Sequence, residues 1–183
     1  MGKVVILGGN ARSGKSTLSY MLVKKGFSRI SFDNIYEITK NSLDIDINEL
    51  NNDKKFKLFE NIVNLSLKEA KNENTNIVID MYDYLPEDII KLKRYNELEV
   101  YFLAYPNCTK DQIKYNVIKY AKPTDWVVQV NEKYLNSCVD RFDERNKILV
   151  KECKKYNMNL IDTKDGKDRN KIIKKLLNNI LKK

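Results

Sequence analysis

A chain of 183 residues with a hydrophobic fraction of 42% and a charged fraction of 32% has the composition of one soluble globular domain. No apolar run reaches the roughly 18 residues that cross a membrane, so we expect no membrane partner. The formal net charge is +9, there is no histidine, and none of the three cysteines forms a CxxC pair. This argues against a zinc site and rules out an imidazole base.

Short apolar runs alternate with longer helical patterns along the chain. The runs predict strands at residues 4–7, 27–32, 76–81, 98–104 and 159–161. Between them, apolar residues recur at helical spacing, most clearly over residues 56–70, 135–153 and 172–181. Apolar strands separated by helices predict a parallel sheet with helices on both faces. We therefore expect a single α/β domain over residues 1–183.

The cysteines and the basic residues bear on compartment and partners. The odd number of cysteines and the lack of a secretion signal favour a reducing cytoplasm, with each cysteine acting as a small apolar residue. Residues 151–183 carry 11 basic and 4 acidic residues, so the positive charge is concentrated there. This basic C-terminal region predicts either a solvated helix face or a nucleic-acid contact.

A phosphate-binding motif follows the first predicted strand. Residues 9–16 match G-x-x-x-x-G-K-[ST], and a helical pattern begins directly after them. Glycines let the backbone N–H groups converge on phosphate oxygens, and the helix N-terminus adds a partial positive charge. The motif predicts an ATP site with Mg²⁺ held in part by Ser16, and the alternative is an ordinary glycine-rich turn. The predicted nucleotide-binding residues are Gly9, Asn10, Ala11, Arg12, Ser13, Gly14, Lys15, Ser16 and Thr17.

On this motif the sequence resembles the P-loop NTPase superfamily, and specifically its nucleoside- and nucleotide-kinase-like branch. The match is specific over residues 4–22, and the branch resemblance extends over most of the chain as a weaker pattern. It implies a three-layer α/β/α fold with a five-stranded parallel sheet. It also implies that Lys15 contacts the β- and γ-phosphates during catalysis.

Two aspartates follow predicted strands. The resemblance implies that Asp33 binds the acceptor hydroxyl and takes its proton, or holds Mg²⁺ through water. The alternative is that Asp33 caps a helix that starts at Ile35. Asp80 ends the apolar run 77–79 in the manner of a Walker-B strand and is the second predicted Mg²⁺ ligand, with a turn residue as the alternative.

An arginine pair lies in the long helical pattern near the C-terminal third. Arg141 and Arg145 are spaced i, i+4, and kinases of this branch supply arginines from a lid in this interval. The resemblance implies a lid around residues 120–147 and a catalytic role for both arginines. The alternative is a surface pair that bridges to Asp140 or Glu144.

Together these features predict a phosphotransferase that moves the γ-phosphoryl group of ATP to a hydroxyl or phosphate of a small molecule. The alternative is a polynucleotide 5′-hydroxyl kinase, or a nucleotide-binding protein directed to nucleic acid. A regulatory GTPase is disfavoured because no N-K-x-D segment follows the fourth predicted strand.

Overall fold

Five parallel strands form one sheet in the computed structural model, which describes residues 2–123, 125–164 and 168–182. In chain order the strands are β1 (Val4–Gly9), β2 (Ser28–Ser31), β3 (Ile77–Asp80), β4 (Leu98–Ala104) and β5 (Asn159–Asp162). Their order across the sheet is β2–β3–β1–β4–β5, and every neighbouring pair is parallel. The predicted five-stranded parallel sheet is confirmed.

Helices connect the strands and cover the sheet. They are α1 (Lys15–Val23), α2 (Phe32–Leu43), α3 (Asn52–Asn72), α4 (Pro86–Ile90), α5 (Lys110–Lys119), α6 (Glu132–Lys155) and α7 (Arg169–Lys182). Single turns of 3₁₀ helix lie at Ile47–Glu49, Tyr95–Glu97 and Trp126–Val128. None of the helices in the described ranges is both long and apolar enough to cross a bilayer.

Alternate residues of β1 face two different cores. Val4 and Ile6 pack with α3 and α6, whereas Val5 and Leu7 pack with α1 and α7. Because both faces of the strand are covered, its sequence is a continuous apolar run instead of an alternating one. The predicted three-layer α/β/α arrangement is therefore confirmed.

A third core lies beside the sheet, between α5 and the first half of α6. Ile113 and Val117 of α5 pack there with Leu135, Val139 and Phe142 of α6. Within the predicted lid interval, the chain joining α5 to α6 contains the turn Trp126–Val128, and α6 begins at Glu132. Thr124 lies outside the described residues. All three cysteines are free and buried, as expected from their apolar role.

The C-terminal helix α7 separates its apolar and basic residues onto two faces. Ile173, Leu176, Leu177 and Ile180 are buried, and Ile173, Leu176 and Leu177 pack against the layer that contains α1. The described lysines of this helix are exposed. The described lysines of α7 thus form the outer face of a helix that packs against the sheet.

Candidate functional site

The loop between β1 and α1 depends on residues with positive φ. Gly9, Arg12 and Gly14 all have positive φ, with values of 126°, 59° and 99°. A Cβ atom at Gly9 would collide with the backbone of Leu103, and one at Gly14 would collide with the Ile173 side chain. Close packing against backbone and positive φ therefore both require glycine at position 9, whereas at position 14 the positive φ is the main requirement.

The motif residues divide into those that line the cleft and those that support the loop. Ala11, Arg12, Gly14, Lys15, Ser16 and Thr17 line it, whereas Gly9, Asn10 and Ser13 are buried beneath it. Ser16 and Thr17 are exposed in the first turn of α1. The N–H groups at the start of this helix, together with two hydroxyls, are accessible from the cleft.

Lys15 is held inside the loop. Its Nζ donates to the backbone oxygen of Asn10 over 2.7 Å and lies 5.7 Å from the centre of the Tyr82 ring. Only 8% of the residue is exposed. Burial lowers the pKa of Lys15 to about 8, with nearby Arg145 acting in the same direction and Asp80 and Asp33 opposing it.

The cleft above the loop has a volume of about 980 Å³ and two facing halves. We call the first the β2–β3 half, and its lining residues include Arg29, Asp33, Asn34, Tyr36, Asp80 and Asp83. We call the second the α5–α7 half, and its lining residues include Tyr120, Lys122, Asp125, Trp126, Arg141 and Arg169. Both halves meet at the phosphate-binding loop, so one ligand site can span them.

Asp80 lies at the end of β3 with only 5% of its surface exposed, and Arg29 of β2 is its partner. The Arg29 Nη2 donates to Asp80 Oδ2 over 2.8 Å, and Ser19 Oγ donates to the same oxygen over 3.3 Å. Arg29 Nε also donates to Ser19 Oγ over 2.6 Å. Sequence reasoning did not identify Arg29, whose position inside a strand gave no signal of an ion pair.

Asp33 lies in the first turn of α2 and faces the cleft. The alternative that it caps this helix is wrong, because the helix begins at Phe32 and Ser31 occupies the N-cap position. Partial burial raises the pKa of Asp33, and the negative charges of Asp80 and Asp83 raise it further, against the lowering effect of Lys15 and Arg29. The carboxylate is therefore electrostatically coupled to the loop lysine and to the other two aspartates.

Arg141 and Arg145 both lie on α6 but have different surroundings. Arg141 is exposed and lines the cleft, where its Nη2 lies 3.0 Å from Cys138 Sγ. Arg145 does not line the cleft; its Nη2 donates to the backbone oxygens of Tyr82 and Tyr84, and its guanidinium lies 4.2 Å from the Tyr82 ring centre. Within the described chain neither arginine bridges to Asp140 or Glu144.

A buried amide pair joins the loop to α6. Asn10 Nδ2 donates to the backbone oxygen of Phe142 over 2.6 Å and to Asn146 Oδ1 over 2.9 Å. Asn146 in turn exchanges hydrogen bonds of 3.3 Å with the backbone of Tyr105, just after β4. Asn146 was missed in the sequence, although a polar residue inside the apolar stripe of α6 is a usable signal for a buried network.

Contacts from the α5–α7 half reach over the loop. Arg12 donates to Asp125 Oδ2 over 2.8 Å, and Arg169 Nη1 donates to the backbone oxygen of Arg12 over 3.1 Å. The Arg169 guanidinium lies 4.1 Å from the centre of the Tyr120 ring. This half therefore places Asp125, Arg169 and an aromatic ring beside the loop.

The residues present fit a magnesium ion and a triphosphate. Both hydrogen bonds that the described residues make to the Asp80 carboxylate use Oδ2. Oδ1 is thus left to a metal-bound water, and the exposed Ser16 hydroxyl is a second oxygen ligand of the kind Mg²⁺ prefers. Lys15 and the α1 N-terminus supply the positive charge that a triphosphate needs.

Comparison with known proteins adds information through structure only. No protein-family model matches the sequence, and no curated protein is similar to it in sequence. A sugar kinase from Janibacter sp. HTCC2649 superposes with a TM-score of 0.62 and 14% identity, covering 97% of this chain and 94% of its own. A gluconokinase from Sinorhizobium meliloti 1021 superposes with a TM-score of 0.58 and 15% identity, covering 99% of this chain and 92% of its own.

A shikimate kinase from Aquifex aeolicus vf5 is also similar, with a TM-score of 0.52, 19% identity, and coverage of 97% of this chain and 96% of its own. The similarity extends over almost the whole length of each protein, so it includes the sheet, the covering helices and the loop after β1. At these identities it shows the fold. The chain has the α/β fold of these three kinases.

Proposed function

We propose that this protein is an ATP- and Mg²⁺-dependent kinase that transfers the γ-phosphoryl group to a small-molecule acceptor. The observation that carries the proposal is the set of groups facing one cleft: Lys15 in the loop, Asp33 and Asp80 on one side, and Arg141 on the other. Phosphoryl transfer needs a cradle for the donor phosphates, a carboxylate near the acceptor, and a cation near the moving group.

The donor phosphates would be bound by the loop. The first residues of α1 line the cleft, so the N–H groups of this helix start would bind phosphate, and the Lys15 ammonium would exchange its bond to the Asn10 oxygen for phosphate oxygens. Arg141, which is exposed and unpaired with any carboxylate of the described chain, supplies positive charge from the opposite wall. Charge placed in advance at the reacting phosphate is the main contribution that a protein makes to this chemistry.

Ser16 would hold the metal directly through its hydroxyl, and Asp80 would hold it through a metal-bound water at its Oδ1. When bound, Mg²⁺ neutralises phosphate charge and orients the donor. Arg29 keeps the Asp80 carboxylate in a fixed orientation through Oδ2, so the remaining oxygen faces a defined direction. The role of Arg29 in this arrangement is to position Asp80.

The acceptor would bind beside Asp33. The Asp33 carboxylate accepts the proton of an acceptor hydroxyl. At the same time the acceptor oxygen forms a bond to the γ-phosphorus, and the bond from that phosphorus to the bridging oxygen of ADP breaks. With no histidine in the chain, a carboxylate is the natural base. The raised pKa of Asp33 makes it a stronger base than an ordinary surface aspartate.

The experiment that tests this proposal measures ADP release and phosphorylated product over a panel of nucleosides, nucleotides, sugars, small metabolites and 5′-hydroxyl oligonucleotides. Lys15→Ala is the inactive control, and Lys25→Ala, which changes an exposed lysine outside the cleft, is the matched control. We expect Lys25→Ala to behave as wild type and Lys15→Ala to lose turnover while remaining folded. Normal turnover in a folded Lys15→Ala protein would refute the proposal.

A polynucleotide kinase is the second candidate, and the same panel separates it. The exposed lysines of α7 lie outside the set of residues that line the cleft, so they would have to bind the polymer at a distance from the reaction. Transfer to an oligonucleotide that falls steeply with added salt would favour this candidate. The names of the structural neighbours denote different acceptors and do not choose among them.

A further inference from the structure

The charged residues of the cleft are divided between its two halves. Among the described residues that line it, the β2–β3 half carries three aspartates and one arginine, a net charge of −2. The α5–α7 half carries Lys122, Arg141 and Arg169 against Asp125, a net charge of +2, and the loop between the halves adds Arg12 and Lys15. A triphosphate is favoured over the loop and the α5–α7 half, which leaves the negative half to the acceptor.

The single cation of the β2–β3 half is already engaged. Arg29 donates to Asp80 and to Ser19 over 2.8 and 2.6 Å, and its guanidinium lies 4.6 Å from the centre of the Tyr20 ring. The side chains of Arg29 and Asp80 are only 16% and 6% exposed. Moving Arg29 toward an anionic acceptor would leave Asp80 buried without its partner, which is energetically costly.

Two carboxylates of the same half lack a cationic partner. Neither Asp33 nor Asp83 forms an ion pair with any of the described residues, and both are exposed to the cleft. Their mutual repulsion contributes to the raised pKa of Asp33. An anionic group placed between them would add to this repulsion, whereas an ammonium group would relieve it.

The other polar groups of this half suit hydroxyls. Asn34, Asn48 and Tyr36 line it with amide and phenol groups that both donate and accept hydrogen bonds. Burial, with the charge of Asp83 and hydrogen bonds to Tyr84 and Asp83, raises the pKa of Tyr36, so its phenol stays protonated. These groups can bind the several hydroxyls of a polyol without requiring a charge on it.

We infer that the acceptor is a hydroxyl compound that is uncharged or carries an amine, and that it bears neither a carboxylate nor a phosphate. This inference rests on the proposed function, because it identifies the substrate class of the same cleft. It narrows the group that receives the phosphoryl group from a hydroxyl or a phosphate to a hydroxyl alone. It assigns the discrimination to Asp83, which lines the same half of the cleft as Asp33, the proposed base.

The test compares charge forms of one carbon skeleton. Glucosamine, glucose and gluconate form one set, and serinol, glycerol and glycerate form a second. The measured quantity is kcat/KM for phosphoryl transfer, after acceptor-free ATP hydrolysis has been subtracted. We expect the amine or the neutral member to exceed the acid by roughly five- to tenfold, the usual effect of one nearby charge at a partly solvated site.

Charge reversal at the discriminating position gives the second measurement. Asp83→Lys should shift the ratio of amine to acid toward the acid by at least about tenfold, and Asp83→Asn should shift it part of the way. Glu69→Lys, an equal charge change at an exposed site of α3 outside the cleft, should leave the ratio unchanged. A purely structural role of Asp83 would lower transfer to all members alike.

Two results would overturn the inference. One is an acid that matches or exceeds its amine and neutral counterparts in wild-type protein. The other is a protein that hydrolyses ATP in a Lys15-dependent manner but transfers to no amine or neutral member. Failure of the proposed function is distinct, because it appears as absent Lys15-dependent nucleotide binding before any acceptor is added.

Discussion

Arg29 and Asp80 come from neighbouring strands and meet in the cleft, with a distance of 2.8 Å between Arg29 Nη2 and Asp80 Oδ2. In the sheet, Arg29 is paired with Val78, and Asp80 is paired with Ser31. The guanidinium therefore reaches two residues along β3 to meet the carboxylate. This pair neutralises the buried acid while no described residue bonds its second oxygen, so it bears on both the stability of the fold and the proposed metal site.

Breaking the pair should destabilise the protein more than removing both partners. We expect Arg29→Met to lower the free energy of unfolding by about 3 kcal/mol, because it leaves the Asp80 charge buried without a partner. The double variant Arg29→Met with Asp80→Asn should cost clearly less than the sum of the two single changes. Urea unfolding of all four proteins gives the coupling energy, and strict additivity would contradict the prediction. Arg94→Met, which breaks an exposed pair with Glu97, is the matched control and should cost less than about 1 kcal/mol.

The pH dependence of nucleotide binding should report on Lys15. The lysine must be protonated to bind phosphate, and burial lowers its pKa to about 8 in the free protein. As the pH rises above 8 the free lysine loses its proton, so the affinity for ATP should fall by about tenfold per pH unit. Quenching of Trp126, which lines the cleft, provides the binding signal. Lys15→Arg keeps its charge at all these pH values, and an equally steep decline in that variant would contradict the assignment.

Asp33→Asn should separate binding from transfer. The change preserves the shape of the side chain but removes its charge, so we expect ATP affinity to change only a few-fold and transfer to fall by roughly 10²–10⁴-fold. In wild type, transfer should decline as the pH falls through a pKa above the usual range of aspartate, because burial and neighbouring carboxylates raise it. Asp44→Asn, at the exposed end of the same helix, is the control and should be silent. An undiminished rate in Asp33→Asn would remove it as the base.

The two arginines of α6 should respond differently to substitution. Arg141→Ala should lower the single-turnover rate by roughly 10²-fold, the scale for a lost transition-state contact, with unchanged unfolding. Arg145→Ala should lower the free energy of unfolding by about 2 kcal/mol, because it removes charged hydrogen bonds to the Tyr82 and Tyr84 carbonyls. The single-turnover rate and the urea midpoint are measured for both variants. A stability loss in Arg141→Ala with a rate loss in Arg145→Ala would contradict this assignment.

The sequence predicted the fold well because the informative signals are local. An apolar run such as residues 98–104 predicted β4 at its observed bounds, and the motif at residues 9–16 located the loop. The end of β2 was predicted one residue too late, since Phe32 is as apolar as a strand residue yet begins α2 and packs against Phe59. Local hydrophobicity does not distinguish these two states.

The partners of the site residues could not be predicted in this way. Arg29 and Asp80 are 51 positions apart in sequence, and Asn10 and Asn146 are 136 positions apart. Such contacts depend on the order of strands in the sheet and on how α6 lies against the loop. The spacing of Arg141 and Arg145 correctly placed both on one helix. That Arg145 does not line the cleft reflects its contact with Tyr82, which follows β3 and is distant from α6 in the sequence.

The amide of Asn10 has a consequence for how the cleft can close. It fixes the middle of a 24-residue helix to the phosphate-binding loop through the Phe142 carbonyl and Asn146. A swing of the whole helix would break three or more buried hydrogen bonds at once. These bonds hold α6 in place at Phe142, so a closure over the proposed nucleotide would have to come from the chain ahead of Asn131, where the helix is capped. Arg141, one residue from Phe142, would then keep its position relative to the loop while the nucleotide binds.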